Sequence, residues 1–240
     1  MANFNELKES WKNKAVFEKQ LSLNLEQLGT DLGLARRFIK KHGRDILMAA
    51  NSAYPPHWLE LMSVLEHFQP KTILEIGCGV GAASQVVERH INGVEYNGSD
   101  YSEEAIDIAK RQWGTPEKFF VQDLWQLTEE IVQKYECILE GAVFDVMPDG
   151  DEALRFLLNL KPHNLYLQRM QFTNDPSYYV EYEAYGEIKT VQYYHNYNDF
   201  IEVVESHNYE MFPVLSNGIL SLADSEGNHP TGFYLKGKKS

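Results

Sequence analysis

The sequence has few cysteines and fewer basic than acidic residues, and both shortages exclude classes of protein. Cys78 and Cys137 are the two cysteines among 240 residues, so neither a disulfide framework nor a cysteine-based zinc site is expected. The 22 lysines and arginines stand against 35 aspartates and glutamates, which gives a formal net charge of −13. Because such a charge repels phosphate backbones, we expect no nucleic-acid partner.

Long apolar runs are also missing from the chain. No segment approaches the roughly 20 apolar residues that cross a bilayer, and residues 1–11 lack the apolar centre of a signal peptide. We therefore expect a cytoplasmic protein with no membrane partner. Hydrophobic residues nevertheless make up 43% of the sequence, which is enough for a globular core.

Short apolar runs that alternate with amphipathic stretches predict an α/β fold. This alternation begins near residue 71 and implies a doubly wound, mostly parallel sheet with helices on both faces. The last two predicted strands have no helix between them, so we expect them to be antiparallel. The predicted strands are 72–76, 93–99, 119–122, 136–140, 164–169, 209–215 and 231–236, and the helices among them are 82–90, 103–113, 125–134, 151–160 and 197–207.

Two segments do not follow the alternation. Residues 1–54 read as helical and are assigned to an N-terminal cap, which leaves 55–240 as the α/β domain. Residues 171–196 form an insertion after the fifth predicted strand, and seven of the 14 tyrosines lie within 178–197. Since an enzyme crevice must be shielded from water, we expect the cap and the insertion to form a lid together. We expect this lid to matter for catalysis more than for cofactor binding.

The strongest local motif is a glycine-rich turn, ILEIGCGVGA, between a predicted strand and a predicted helix. In this context backbone N–H groups can approach a nucleotide or a carboxylate. Gly77, Gly79 and Ala82 satisfy the dinucleotide fingerprint G-x-G-x-x-A. Together with Glu75 and Gly81, the same loop satisfies the E-x-G-x-G-x-G pattern of S-adenosylmethionine enzymes. The loop alone is therefore compatible with either cofactor.

Acidic residues follow the second and third predicted strands. Asp100 lies 19 residues after Gly81, and its carboxylate can accept both ribose hydroxyl protons of either cofactor. Asp123 can accept a proton from the exocyclic amine of adenine, or it can instead cap the helix that follows.

These motifs together resemble class I S-adenosylmethionine-dependent methyltransferases. The resemblance rests on residues 73–84, 96–110, 120–124 and 136–141 and on the Met-Pro-Asp run that follows, and it covers about residues 55–240. It implies S-adenosylmethionine as the cofactor and a seven-stranded sheet whose last strand is antiparallel. The cofactor residues that it implies are Glu75, Gly77, Gly79 and Gly81 at the methionine part, Asp100 at the ribose, Tyr101, Asp123 and Leu124 at the adenine, and Glu140 and Gly141 beside the sulfonium.

The tyrosine-rich insertion lies where the resembling family places part of its acceptor site. Tyrosines offer flat apolar faces and hydroxyls that suit sugars, rings or amines. We predict Tyr178, Tyr182 and Tyr194 to lie near the acceptor. An edge hairpin or a contact between the two copies of a homodimer remains the alternative for this segment.

His195 and Asp145 are the candidate general bases. A base is needed when the acceptor must lose a proton, as a hydroxyl does. Histidine is chosen because the unperturbed pKa of this residue type lies near neutral pH, and Asp145 follows the fourth predicted strand. The alternatives are an ordinary surface histidine and a solvated loop carboxylate.

Several missing motifs narrow the acceptor. No Asn-Pro-Pro-Tyr or Asp-Pro-Pro-Tyr run and no Pro-Cys nucleophile occur, which disfavours nucleobase methylation, and no Asp-Asn pair suggests a magnesium site. We therefore expect a metal-free enzyme that methylates a small metabolite or sugar, with O-methylation favoured. The alternatives are N-methylation of a small amine, a nicotinamide-dependent reductase and a non-catalytic protein that binds an adenosine cofactor.

Overall fold

The computed structural model describes residues 4–29, 56–184, 188–214 and 232–238. The boundary that the sequence predicts between residues 54 and 55 lies outside these residues and stays a prediction. None of the described helices is long and apolar enough to cross a membrane.

Among the described residues, three helices precede the first strand. They are α1 (Phe4–Ser10), α2 (Lys14–Leu28) and α3 (Pro56–Phe68). Asn13 caps the start of α2, since its side chain accepts a hydrogen bond from the Ala15 N–H. The strands that follow are β1 (Thr72–Ile76), β2 (Glu95–Asp100), β3 (Phe119–Val121), β4 (Cys137–Gly141), β5 (Asn164–Gln168), β6 (Phe172–Thr173), β7 (Tyr178–Ala184), β8 (Ile188–Asn196), β9 (Tyr209–Val214) and β10 (Gly232–Gly237).

The main sheet has seven strands in the order β3-β2-β1-β4-β5-β10-β9. Strands β1 to β5 are parallel, and β10 runs antiparallel to both β5 and β9. This confirms the predicted seven-stranded, mostly parallel sheet. The chain order reverses between β1 and β4, and ligands bind outside the carboxyl ends of the strands at such a point.

Helices cover both faces of this sheet. Two of these helices, at 82–90 and 103–113, have the same bounds as the sequence predicts. The predicted helix 125–134 is wrong in extent, since Thr128 starts a new turn with its side chain on the Ile131 N–H. The helices are α4 (Ala82–His90), α5 (Glu103–Trp113), α6 (Glu129–Val132), α7 (Gly150–Asn159) and α8 (Tyr197–Ser206).

Two apolar clusters fill the space between the sheet and its helices. One contains buried residues of α3, α4 and α5, such as Leu61, Val86 and Ile106. The other contains residues of α7 and α8, such as Leu157 and Val204. The burial of helices on both sides of the sheet is the doubly wound arrangement that the alternating pattern predicts.

The insertion after β5 forms a second, smaller sheet in the order β6-β8-β7. The hairpin of β7 and β8 is tied to the N-terminal helices. Ser10 Oγ donates to the Lys189 carbonyl at 3.1 Å, and Trp11 Nε1 donates to Thr190 Oγ1 at 3.3 Å. The N-terminal helices and the inserted hairpin therefore form one connected layer.

Candidate active site

A cavity of about 440 Å³ opens at the carboxyl ends of β1, β2 and β4. This volume falls within the range of small-molecule sites. The sheet contributes the glycine loop after β1 and the loop after β4. The other wall consists of the N-terminal helices and the hairpin, through Leu7, Trp11, Phe17, Tyr182 and Ala184. The predicted lid segments thus both line the crevice.

The glycine loop forms a cradle that a side chain would fill. Gly77 and Gly79 line the cavity with positive φ of 68° and 53°. A Cβ on Gly77 would lie 2.1 Å from Val143 Cγ2, and one on Gly79 would lie 2.9 Å from Gln20 Oε1. Gly81 does not line the cavity and instead packs against the Phe119 ring. Because Val143 and Gln20 already pack against these two glycines, any side chain there would clash, and glycine keeps the backbone of the loop exposed to the cavity.

Asp100 connects the glycine loop to the start of α5. Its side chain lines the cavity but is only 6% exposed. Oδ2 accepts from the Gly79 N–H and Oδ1 from the Ser102 N–H, both at 2.9 Å. Burial raises the pKa of Asp100, and these hydrogen bonds oppose the rise. Each carboxylate oxygen retains a lone pair, so the group can still accept hydrogen bonds from a ribose.

Tyr101, Asp123 and Leu124 line the part of the cavity next to Asp100. Asp123 Oδ1 accepts from the Trp125 N–H at 3.1 Å, so this residue caps the following turn and also faces the cavity. Lys8 of α1 forms an ion pair with Asp123 Oδ2, and its Nζ lies 5.2 Å from the centroid of the Tyr101 ring.

Glu75 and Glu140 lie beneath the cavity, outside its lining. The Tyr96 hydroxyl donates to Glu75, whose pKa burial raises to about 7. Glu140 Oε1 accepts from the backbone N–H groups of Val143 and Phe144. Burial and then Asp145 raise the pKa of Glu140 to about 8. Glu140 therefore holds in place the loop whose residues Gly141 and Val143 line the cavity.

His195 and Asp145 are both buried, and neither lines the cavity. His195 is 0% exposed, and its Nδ1 lies 2.6 Å from Asp151 Oδ1. Gln192 Nε2 donates to Asp145 Oδ2 at 3.5 Å. The alternatives of a surface histidine and a solvated carboxylate are therefore wrong. His195 Nε2 and Asp145 Oδ1 have no hydrogen-bond partner.

Of the three predicted acceptor-side tyrosines, Tyr182 lines the cavity and the other two do not. Tyr178 and Tyr194 are cross-strand neighbours whose rings stack with centroids 4.9 Å apart. Tyr178 is 43% exposed on the hairpin. A homodimer contact through this hairpin stays a prediction.

Comparison with solved structures shows the same fold elsewhere. Magnesium protoporphyrin IX methyltransferase from Synechocystis PCC 6803, solved with bound SAH, is 16% identical with a TM-score of 0.53. The match covers 87% of this chain and 100% of that one. An S-adenosylmethionine-dependent methyltransferase from Clostridium acetobutylicum ATCC 824 is 12% identical with a TM-score of 0.54, over 86% and 98% of the two chains.

The sequence model of a family described as a methyltransferase domain matches residues 74–163. This segment runs from β1 to the connection before β5 and includes the glycine loop, Asp100 and Asp123. Residues 74–163 are thus a methyltransferase domain, and the chain has the fold of S-adenosylmethionine-dependent methyltransferases. This match favours S-adenosylmethionine over a nicotinamide cofactor at the glycine loop.

Several residues that line the methyltransferase cavity were missed by sequence reasoning. Lys8 and Gln20 lie in the N-terminal helices. The sequence pattern at these positions does not indicate that the helices pack against the cavity. Arg169 follows β5 with a positive φ of 60° and also lines the cavity. Its position directly after a strand, like that of Tyr101 after β2, is a signal that could have identified it.

Metal ligation is not apparent in the described part of the methyltransferase. Within residues 4–29, 56–184, 188–214 and 232–238, no group of three or more histidine, cysteine, aspartate or glutamate side chains could hold an ion.

Proposed function

We propose that this methyltransferase acts on a small molecule and methylates a hydroxyl oxygen. The observation that carries the proposal is the cavity of about 440 Å³, walled on one side by α1, α2 and the hairpin. The bonds from Ser10 and Trp11 to the hairpin join that wall into one piece. A chain substrate would need an open groove instead, and the net charge of −13 opposes a nucleic acid.

The cavity fits S-adenosylmethionine, which supplies an activated methyl group when bound. We assign its methionine part to the backbone of Gly77 and Gly79, because both glycines line the cavity. We assign Asp100 to the ribose hydroxyls and Tyr101 and Asp123 to the adenine, because all three line the cavity. We assign Gly141 to the neighbourhood of the sulfonium, and we assign Glu75, Gly81 and Glu140 to support of the two loops.

The acceptor side of the cavity is then the region beyond Gly141. It is mostly apolar, with Val143, Met147, Pro148 and Tyr182 in its lining, and it includes the cation Arg169. An apolar pocket with one guanidinium suits a ring or chain that carries a carboxylate or phosphate. We therefore propose an anionic small molecule as the acceptor.

We keep Asp145 and His195 as the candidate bases of the proposed O-methylation. Each retains an unpartnered polar atom, and Asp145 is the neighbour of Val146, which lines the cavity. Because both side chains are buried, they could take a proton from the acceptor only through an intervening group such as water. N-methylation of a neutral amine would not require them.

The experiment that tests the proposal uses labelled cofactor and a metabolite extract. The enzyme is incubated with S-adenosylmethionine labelled at the methyl group and with an extract separated by ultrafiltration into small molecules and macromolecules. We expect label in a small-molecule product that binds to an anion-exchange resin and carries the methyl group on oxygen. Label found only in the macromolecular fraction would overturn the proposal. A product methylated on nitrogen would overturn its O-specific part.

We also propose the cytoplasm as the compartment of the enzyme. Both cysteines, Cys78 and Cys137, are buried free thiols. Thiols persist in this form in reducing compartments. Burial raises the pKa of each thiol, which keeps it in its unreactive protonated form.

A further inference from the structure

The side chain of Gln20 enters the glycine loop from the opposite wall. Gln20 lies in α2 and lines the cavity. Its Oε1 and Nε2 are 2.9 and 3.2 Å from the position that a Cβ on Gly79 would occupy. The carboxamide therefore occupies the opening of the cradle, although α2 and the loop are about 60 residues apart in the sequence.

Packing fixes this position. Phe17, one turn before Gln20, is buried in a cluster with Val80 of the glycine loop and with Ala105 and Ile108 of α5. Residues three apart lie on the same face of a helix, so the anchoring of Phe17 directs Gln20 toward the loop.

The side-chain oxygen of Gln20 lacks a hydrogen-bond donor. Oε1 is buried from solvent and has no hydrogen-bond partner. A buried amide oxygen without a donor is unfavourable, and such oxygens in native proteins are usually satisfied. A ligand with an N–H group in the cavity beside Gly79 would supply this donor.

We infer that Gln20 binds the amino-acid end of S-adenosylmethionine, with Oε1 accepting a hydrogen bond from the ammonium group. The methionine part is the portion of the cofactor assigned to the cradle, and its ammonium supplies the missing donor. The carboxamide Nε2 is a donor for the adjacent carboxylate, so one amide matches both charges of the amino acid. The N-terminal helices thus bind cofactor as well as cover the acceptor, contrary to the expectation from sequence.

The test compares two ligands that differ in this end alone. S-adenosylhomocysteine has the amino-acid group, whereas 5′-methylthioadenosine has the same nucleoside without it. Gln20→Leu removes the amide and keeps the bulk of the side chain, and Gln20→Ala is a second variant. The control is Glu18→Ala, which alters an exposed residue of the same helix. Affinities are measured by calorimetry, and folding is verified by thermal unfolding.

We expect both Gln20 variants to weaken S-adenosylhomocysteine about tenfold or more, because a hydrogen bond to a charged group is lost. Binding of 5′-methylthioadenosine should change by less than about twofold, and the control should bind both ligands normally. Equal losses for the two ligands would overturn the inference and make Gln20 a support of the loop. Unchanged affinity for both ligands would also overturn it. The inference rests on the cofactor assignment, and failure of the unaltered enzyme to bind either ligand would refute that assignment itself.

Discussion

Asp100 has a structural and a binding role that involve the same carboxylate. Its two oxygens accept hydrogen bonds from the backbone N–H groups of Gly79 and Ser102, which fixes the glycine loop against the start of α5. The remaining lone pairs face the cavity, where we place the ribose. A change at this position alters the loop and the ligand contact together.

We expect Asp100→Asn to weaken S-adenosylhomocysteine about tenfold or more. The amide nitrogen cannot accept a hydrogen bond, and the charge that strengthens bonds to ribose hydroxyls is lost. Calorimetry measures the effect, with Asp107→Asn as the control because Asp107 is an exposed acid of α5. Unchanged affinity in a folded Asp100→Asn protein would contradict the assignment.

Glu140 makes stability depend on pH. Its pKa is about 8 in the folded protein, whereas the ordinary value is 4.5. Between these pH values the unfolded chain has released the proton and the native state retains it, so stability falls as the pH rises. In the Glu140→Gln variant the side-chain amide still offers an oxygen to the backbone N–H groups of Val143 and Phe144, but it carries no titratable group.

We expect Glu140→Gln to unfold at least about 2–4 °C above the unaltered protein at pH 8, because each 1 kcal/mol shifts the unfolding temperature by that much in a chain of this size. At pH 4.5 the two proteins should unfold together, since the glutamate is protonated in the native state there. Thermal unfolding followed by circular dichroism provides the comparison. The same difference at both pH values would show that Glu140 does not titrate in this range.

The residues that sequence reasoning could place are those at strand ends. Gly77, Asp100 and Asp123 follow consecutive parallel strands, and such ends meet at one edge of a sheet, so their proximity follows from local pattern. Gln20 and Lys8 could not be predicted, because their positions depend on how a distant helix packs. The burial of His195 was likewise invisible in the sequence, since it depends on its neighbours Phe172 and Tyr193.

At the scale of elements, α1 places a cation at the proposed adenine site. Lys8 forms an ion pair with Asp123 Oδ2, which is the atom that would accept a hydrogen bond from the adenine amine. We expect Lys8→Ala to tighten S-adenosylhomocysteine by up to about fivefold, since a partly exposed ion pair contributes at most about 1 kcal/mol. The control is Lys12→Ala, which breaks the exposed pair of Lys12 with Glu9. Weaker binding by Lys8→Ala alone would show instead that Lys8 supports the adenine.

Helix α2 should respond to the cofactor more than other helices do. We expect S-adenosylhomocysteine to slow amide hydrogen exchange in α2, because a ligand between α2 and the glycine loop joins the two. Helix α8 serves as the internal control, since none of its residues lines the cavity. Equal protection of both helices, or of neither, would contradict the placement of the ligand.

Local pattern predicted the elements well where local chemistry sets their ends. Ser102 caps the start of helix α5 with a side chain that accepts from the Ala105 N–H, and Gly114 caps its end in the left-handed region. The region 125–134 was predicted as one helix, because its apolar spacing continues past Thr128. Thr128 caps the start of a separate helix and so interrupts the predicted one, and the spacing of apolar residues alone does not reveal this interruption.

At the scale of the whole molecule, no group of three or more potential metal-binding side chains occurs among the described residues, and the proposed methyl donor is already activated. We therefore expect cofactor binding and methyl transfer to continue unchanged in EDTA. Transfer of labelled methyl to the small-molecule fraction, measured with and without the chelator, is the assay. A loss that magnesium restores would reveal a metal site.

The place of β10 constrains how the chain can fold during synthesis. This strand follows every other described strand in the sequence, yet it lies inside the sheet between β5 and β9. Until the ribosome has released it, β5 and β9 each present an unpaired edge, and open edges invite pairing with other chains. We therefore expect chains that stop before residue 232 to leave both edges open and to aggregate more readily than the full chain.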